Sequence, residues 1–275
     1  MFKIYDLNMK EISLPKGVMP LEIFVGSVAK NRVTEEVDGR AGVVDYGFNY
    51  TDRPVSLFLR IKAADKIDFR LLRNEVFATF DVGSAFYVAE TDVPSRVLKV
   101  VVDESYMPDR LTEEYADFDI NCRTLDSVFW ESKYTTLELH DSGYSATSEK
   151  YGLVDNIDDE KVKYRFTENN FTVYNAGNVT VEPESMYINI LFWYCSIPGG
   201  KMTIKNMTTG DVLEINRTEN RRHIRQDGIN VTVGGVNRFR DTNRRFISLA
   251  PGDNRFEITG AIFDEVRIDF KYYFK

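Results

Sequence analysis

Regular alternation of apolar and other side chains is the feature that most constrains the fold of this chain. Residues 54–62, 115–122 and 266–275 carry apolar side chains at every second position. A two-residue period places those side chains on one face of an extended strand, whereas a helix requires a period of about 3.6 residues. The last alternation continues to residue 275, so we expect the tail to be a paired strand. Residues 97–102 and 187–194 are apolar on both faces, which is typical of central strands in a packed sandwich.

One segment, residues 65–81, has the helical period instead, and Asp65 stands where an N-cap is expected. Its first apolar stripe consists of Phe69, Leu72, Val76 and Phe80. A second stripe, nearly opposite, consists of Ile67, Leu71 and Ala78. The helix therefore either lies in a groove between two elements of its domain, or packs one stripe inside and presents the other to a neighbouring copy. We expect it to be the only long helix.

The length of 275 residues is enough for two domains, and a change of pattern places the linker near residues 130–144. Before it we expect a strand, the helix and three strands, and after it only strands and turns. The sequence therefore predicts domains at 1–135 and 136–275. The second domain is expected to be a β-sandwich, because Gly- and Asn-rich turns separate its strands at 175–178, 198–200, 209–211, 234–235 and 251–254.

Catalytic and metal chemistry find little support, because the chain has only two histidines beside 19 phenylalanines and 15 tyrosines. His140, Asp141 and Ser142 are the residue types of a catalytic triad, but neighbours in sequence cannot converge on one proton, so we expect a turn there. His223 stands among arginines, and neither histidine has metal-ligand spacing. We therefore expect no enzymatic activity, no metal and no cofactor.

Charge, cysteines and hydropathy limit the partners. The net charge of −8 disfavours broad nucleic-acid binding. The longest apolar run, residues 188–195, is too short for a bilayer, and residues 1–10 lack a signal-peptide core, so we expect no membrane partner and synthesis in a cytosol. Cys122 lies on the apolar side of a strand and is expected to be a buried free thiol. Residues 217–245 hold eight arginines and three acids, which either pair across neighbouring strands or subunits, or bind a polyanion.

The aromatic run at residues 192–194, Phe-Trp-Tyr, has two interpretations. Because it lies in a segment that is apolar on both faces, packing in the core is the favoured one. Stacking on a sugar ring, as exposed aromatics do in carbohydrate-binding modules, is the other.

The order of elements and turns resembles the distal tail proteins (Dit) of siphophages that infect Gram-positive hosts. In the first half the similarity rests on a loop at 39–48, the strand at 53–63 and the helix from Asp65. In the second half it rests on Tyr174-Asn175-Ala176-Gly177-Asn178, on the segment 209–215, and on Leu249-Ala250-Pro251-Gly252-Asp253-Asn254. The resemblance implies a mainly β fold: an N-terminal ring-forming β-sandwich or roll with one α-helix, followed by a C-terminal galectin-like β-sandwich.

The resemblance also implies a structural role in the virion, at the tail tip or baseplate, after synthesis in the host cytoplasm. Members of this family form a homo-hexameric ring that joins the tail tube protein to a tail-associated or fibre hub protein. DNA passes through the pore without specific recognition, and the outer domains can carry receptor-binding proteins. An alternative is a baseplate component that binds cell-wall carbohydrate.

Within the first domain, two regions are candidates for contacts between copies of the chain: the segment 39–50 and the second stripe of the helix. The candidate interface residues are Asp45, Tyr46, Phe48, Tyr50, Ile67 and Leu71.

Overall fold

The computed structural model of the chain describes residues 1–81, 83–143 and 157–275 and divides into two units. The first comprises Met1–Trp130 with Lys275, and the second comprises Glu131–Phe274. The strand β10 (Trp130–Ser132) lies at the division, close to the boundary expected after residue 135. No helix in the described ranges has the length and apolar character needed to cross a membrane.

The N-terminal unit is built on an antiparallel sheet with the strand order β1-β6-β7-β9-β5-β2 and the short β8 beside β9. The strands β3 and β4 form a separate two-stranded sheet. The elements are β1 (Phe2–Tyr5), β2 (Val18–Val25), β3 (Lys30–Glu36), β4 (Val43–Tyr50), β5 (Pro54–Lys62), α1 (Lys66–Phe80), β6 (Phe86–Glu90), β7 (Arg96–Val101), β8 (Asp109–Arg110) and β9 (Tyr115–Thr124). The expectation of one strand before the helix was wrong, because five strands precede it.

The core of this sheet follows the predicted alternation. Leu57 of β5 lies opposite Ile120 of β9, and Leu59 lies opposite Phe118, with all four side chains buried. Each buried side chain of this kind contributes about 2 kcal/mol of transfer free energy. The two-residue period of both segments is therefore confirmed as one buried face on each of two paired strands.

The helix α1 begins where the sequence predicts. The Asp65 carboxylate accepts hydrogen bonds from the backbone N–H groups of Ile67 and Asp68, at 2.7 and 2.8 Å. The first stripe is buried, whereas Ile67 and Leu71 of the second are 65% and 57% exposed. The groove interpretation was wrong, because among the described residues only one side of the helix is covered. In the described ranges α1 is the only helix longer than seven residues.

Two adjacent leucines of α1 provide a matched test of this orientation. We expect Leu72→Ala to lower the free energy of unfolding by about 3 kcal/mol, because it leaves a cavity beneath the helix. We expect Leu71→Ala to change it by less than about 0.5 kcal/mol, because that side chain is exposed. Urea denaturation of both variants measures the difference, and equal effects would show that the helix orientation is wrong.

The C-terminal unit consists mainly of two antiparallel sheets, with strand orders β11-β20-β13-β16-β17-β18 and β12-β19-β14-β15. Its elements are α2 (Thr136–Ser142), β11 (Arg165–Phe166), β12 (Asn170–Asn175), β13 (Ile188–Ile197), β14 (Met202–Asn206), β15 (Val212–Ile215), β16 (Glu219–Asp227), β17 (Asn230–Val233), β18 (Val236–Asn237), β19 (Gly252–Thr259), β20 (Glu265–Phe270), β21 (Tyr273–Phe274) and 3-10 turns at Asp159–Lys161 and Phe239–Asp241. Cys195 Sγ of β13 lies 4.0 Å from Met202 Sδ of β14, so the inner faces of the two sheets meet. The predicted sandwich is confirmed.

Buried asparagines connect the predicted turns of the sandwich. The Asn254 Oδ1 atom accepts hydrogen bonds from the Ala250 amide at 2.9 Å and from Asn206 Nδ2 at 3.1 Å. Asn206 Nδ2 also donates to the Ser248 carbonyl at 2.8 Å. Both asparagines are fully buried, so their side chains supply the hydrogen bonds that water cannot provide to these loops.

The C-terminal alternation ends earlier than expected. The strand β20 stops at Phe270, and Tyr272 and Tyr273 are both buried although they are adjacent. The chain bends here because the Ser132 hydroxyl oxygen accepts a hydrogen bond from the Tyr272 amide at 3.1 Å. The Tyr273 hydroxyl, in turn, accepts one from the Tyr187 amide at 3.0 Å. The expected pairing of the tail is confirmed at β21 (Tyr273–Phe274), which pairs with β10, but the strand is not continuous from residue 266 to the end.

Both cysteines are free and buried, and burial raises the pKa of each thiol to about 12. At pH 8 neither side chain forms appreciable thiolate, which is the reactive species. We expect Ellman's reagent to detect no thiol in the native chain within minutes and both thiols after denaturation in guanidinium. Rapid reaction of either thiol in the native chain would contradict the burial of its strand.

Candidate functional site

The hairpin formed by β3 and β4 is the first candidate for an assembly surface. Its strands pair only with each other in the described chain, and each of their residues is exposed or half-buried. A two-stranded hairpin is at best marginally stable in water unless it packs on another surface. This hairpin therefore offers two nearly bare faces to a partner.

The expectation of a loop at residues 39–50 was wrong, because β4 begins at Val43. A bulge places Tyr46 and Gly47 opposite the single residue Val33, and Gly47 has φ 102°, which glycine adopts without strain. The sequence concealed the strand because neither face of the hairpin is buried, so no alternation of apolar and polar residues is required.

Polar contacts hold the two strands of the hairpin in register. Arg32 forms an ion pair with Asp45, and the Tyr46 hydroxyl donates a hydrogen bond to Glu35 Oε2 at 2.9 Å. The Gly47 amide donates to Asp45 Oδ1 at 2.9 Å. This hydrogen bond, and then the Arg32 guanidinium, hold the pKa of Asp45 below its usual value. Asp45 is therefore exposed, and its contacts also hold the two strands of the hairpin together.

The aromatic residues of β4 divide into an anchored and an exposed group. The Tyr50 ring packs edge-on against Phe129 with centroids 5.1 Å apart, and against Phe48 at 5.3 Å. Phe48 also lies under the Lys30 ammonium, 4.7 Å from its ring centroid. Tyr50 therefore fixes the base of the hairpin to its own unit, whereas Tyr46 and Phe48 remain 63% and 41% exposed.

Three further apolar side chains of this hairpin were missed by the sequence analysis. Val33, Val37 and Val43 are about half exposed, and charged neighbours obscure their pattern in the sequence. The exposed stripe with Ile67 and Leu71 lies on α1, and in the described ranges no hydrogen bond, ion pair or ring contact joins the hairpin to that helix. Of the six predicted interface residues, four therefore lie in the hairpin, with Tyr50 half-buried at its base, and two lie exposed on α1.

The exposure of the hairpin predicts its hydrogen exchange. In the isolated chain we expect amides paired between β3 and β4 to exchange about 100-fold faster than those between β5 and β9, because only the latter are covered by a core. Hydrogen–deuterium exchange with mass spectrometry measures both ladders in one sample. Equal protection of the two ladders in a monomer would contradict the bare hairpin.

The second candidate site lies on the six-stranded sheet of the C-terminal unit, where two bulges adjoin. Between Phe192 and Cys195 of β13, the residues Trp193 and Tyr194 lie opposite the single residue His223 of β16. On the next register step, Ser196 lies opposite two residues, Asn220 and Arg221. Each bulge contains one non-glycine residue in the left-handed backbone region, Tyr194 at φ 46° and Arg221 at φ 48°.

The bulges bring a row of rings and guanidinium groups to the outer face of this sheet. Along the row, Arg267 lies 4.4 Å from the Trp193 ring centroid, and the centroids of Trp193 and His223 are 4.5 Å apart. His223 and Tyr194 follow at 4.8 Å, and Arg221 lies 5.1 Å from the Tyr194 ring. We call these five residues the bulge platform.

The preference for core packing of residues 192–194 was therefore wrong for two of the three. Phe192 is buried, but Trp193 is only half-buried and Tyr194 is exposed. Consecutive residues of a regular strand point to opposite faces, and the bulge removes that rule at this position.

The arginine cluster at 217–245 is paired only in part. Arg217 forms ion pairs with Glu219 and Asp241, and Arg221 forms one with Asp264 at 3.2 Å. The prediction that these arginines form ion pairs across neighbouring strands was wrong for the remaining ones, within the described ranges. The prediction that they form ion pairs with another subunit stays a prediction. Those without an ion pair there are Arg222, Arg225, Arg238, Arg240, Arg244 and Arg245.

The triad-like run was expected in a turn but forms the last turn of α2. His140 Nδ1 lies 3.1 Å from the Val162 carbonyl oxygen, and Asp141 pairs with Arg165 at 2.7 Å. The Ser142 hydroxyl donates to the Leu139 carbonyl. The three side chains thus have three different partners. Among the described residues, no group of three His, Cys, Asp or Glu side chains is arranged to hold a metal ion.

Part of the N-terminal unit is similar in sequence to a known family. Residues 7–122 match the family described as the phage tail protein RIFT-related domain, and this match covers most of that unit. No curated protein sequence matches the chain.

The complete chain shares its fold with a protein of known structure at low sequence identity. SPP1 Dit, whose crystal structure is described as a paradigm of the hub adsorption apparatus in phages infecting Gram-positive hosts, superposes with a TM-score of 0.70 over 100% of both chains at 11% identity. A chain of the phage p2 baseplate in its activated conformation superposes with a TM-score of 0.47, at 9% identity, over 98% of this chain and 97% of that one. The resemblance inferred from the sequence is confirmed.

Proposed function

We propose that this chain is a distal tail hub protein of a siphophage and that its N-terminal units assemble into a homo-hexameric ring. The observation that carries the proposal is the fold shared with SPP1 Dit over the full length of both chains. In this role the ring connects the tail tube protein to the tail-associated hub protein of the tip or baseplate. DNA passes through the pore without specific recognition.

The bare surfaces of the N-terminal unit support a ring. Closed cyclic assembly requires each copy to present two different, complementary surfaces, one to each neighbour. The hairpin and the exposed stripe of α1 are separate surfaces of this kind, and both expose apolar side chains. Tyr46 and Phe48 serve as the aromatic anchors of one surface, and Ile67 and Leu71 belong to the other.

The remaining candidate residues support the first surface from within. Asp45 holds the two strands in register through Arg32 and the Gly47 amide, and Tyr50 fixes the hairpin base against Phe129. The C-terminal sandwich lies outside the ring in this proposal and carries receptor-binding proteins. The protein is a structural component of the virion, made in the host cytoplasm.

Removal of the two aromatic anchors tests the ring. We expect the wild-type chain to form a species six times its 31.8 kDa mass, visible as rings in negative stain. The double variant Tyr46→Ala with Phe48→Ala is expected to weaken assembly about 100-fold, because buried aromatic anchors dominate interface energies. Mass photometry across a concentration series measures the shift in the midpoint.

The matched control for this test is Tyr194→Ala, which removes an exposed tyrosine of the C-terminal unit. It is expected to leave the assembly midpoint unchanged. Monomers of the wild-type chain at every concentration would contradict the ring, and unchanged assembly of the double variant would contradict the hairpin as its interface.

A second candidate function is recognition of cell-wall carbohydrate by the C-terminal unit. The observation that favours it is the outward placement of Trp193 and Tyr194, which the alternating strand pattern did not predict. It is compatible with the hub role, since the two functions use different units of the chain.

A further inference from the structure

The bulge platform contains two strained backbone positions. Tyr194 and Arg221 both have left-handed backbone conformations, and neither is a glycine or an asparagine. Such conformations are unfavourable for side chains of this size and persist only where the surrounding structure enforces them. Here the Ser196 hydroxyl accepts a hydrogen bond from the Arg221 amide at 2.9 Å, which fixes one bulge against the other. The strain has a clear consequence: it turns two adjacent aromatic residues to the same face.

Two ring nitrogens of the platform lack partners. Trp193 Nε1 and His223 Nδ1 are both buried and make no hydrogen bond within the described ranges. Buried polar atoms almost always make a hydrogen bond in native proteins. Two neighbouring ring nitrogens without a hydrogen bond therefore require an explanation. The Arg267 guanidinium lies over the Trp193 ring, which carries one of these nitrogens, at the end of a flexible side chain.

Each arginine of the platform is paired with a carboxylate. Arg221 pairs with Asp264 at 3.2 Å, and Arg267 pairs with Glu265, which also pairs with Arg165 at 3.6 Å. The pairs place hydrogen-bond donors and acceptors beside the aromatic rings, with Arg267 over the Trp193 ring and Arg221 over the Tyr194 ring. A polyanion would meet both carboxylates, whereas a neutral molecule with hydroxyl groups can donate to the acids and accept from the arginines.

We propose that the bulge platform is a binding site for a neutral saccharide. The exposed face of Tyr194, 44% accessible, receives the apolar face of a pyranose ring. The sugar hydroxyls bond to the Arg221–Asp264 pair, and displacement of the Arg267 chain opens Trp193 Nε1 and His223 Nδ1 to the same ligand. This inference deepens the second candidate function and is independent of ring formation.

Intrinsic fluorescence provides the test, because the chain has only two tryptophans. In the variant Trp130→Phe, Trp193 is the sole tryptophan and reports directly on the platform. We expect at least one of lactose, cellobiose and N,N′-diacetylchitobiose to shift its emission with a dissociation constant of about 1 mM, the range of a small, partly exposed site. Saturation-transfer difference NMR on the wild-type chain repeats the measurement without any substitution.

Variants separate this site from the rest of the chain. Tyr194→Ala is expected to weaken saccharide binding about fivefold or more, the loss of one aromatic contact, while leaving ring assembly intact. The control Tyr46→Ala, in the hairpin, should bind the sugar as the wild type does. Absence of binding by both methods for all three disaccharides would overturn the proposal, as would wild-type affinity in Tyr194→Ala. Tyr194→Ala is expected to impair saccharide binding but not ring assembly, whereas the hairpin substitution is expected to impair assembly but not binding. Failure of the saccharide site is therefore distinguishable from failure of the hub proposal.

Discussion

Antiparallel pairing with a two-residue side-chain period is the constraint on which the rest of this structure depends. The backbone groups of each paired strand form hydrogen bonds with the neighbouring strands in the plane of the sheet. The apolar side chains on one face of the strand must then be buried against another element. In the N-terminal unit, β5 and β9 pair side by side and share one buried face, and α1 buries its first stripe against the sheet. In the C-terminal unit, two sheets cover one another, and buried asparagines such as Asn254 satisfy the loops that the sheets cannot.

The candidate functional regions lie where this constraint is relaxed. In the hairpin of β3 and β4 the two strands form backbone hydrogen bonds with each other, but neither face of the hairpin is buried. Its stability therefore depends on the surface that it contacts. The adjoining bulges of β13 and β16 break the alternation and turn Trp193 and Tyr194 to one side. In both cases a local departure from regular sheet geometry exposes aromatic side chains that a regular strand would have buried or separated.

Segments with a covered face were predictable. The strands at β5 and β9, the helix with its Asp65 cap and the buried free Cys122 all follow from local sequence, because burial imposes the period that the sequence displays. The four strands before β5 were missed. For β3 and β4 the reason is physical, since a strand exposed on both faces has no apolar period to detect. The order of turns was informative enough to identify the family resemblance, although each turn alone is common.

The sequence by itself determined the mainly β class, the long helix α1 and the family resemblance, since these depend on periodicity and turn chemistry along the chain. Only the tertiary structure decided which faces remain uncovered. It showed that the second stripe of α1 is exposed, that residues 39–50 belong to a hairpin, and that Trp193 leaves the core. The physical reason is that exposure depends on what packs against a residue from distant parts of the chain, and a bulge depends on the register between two strands.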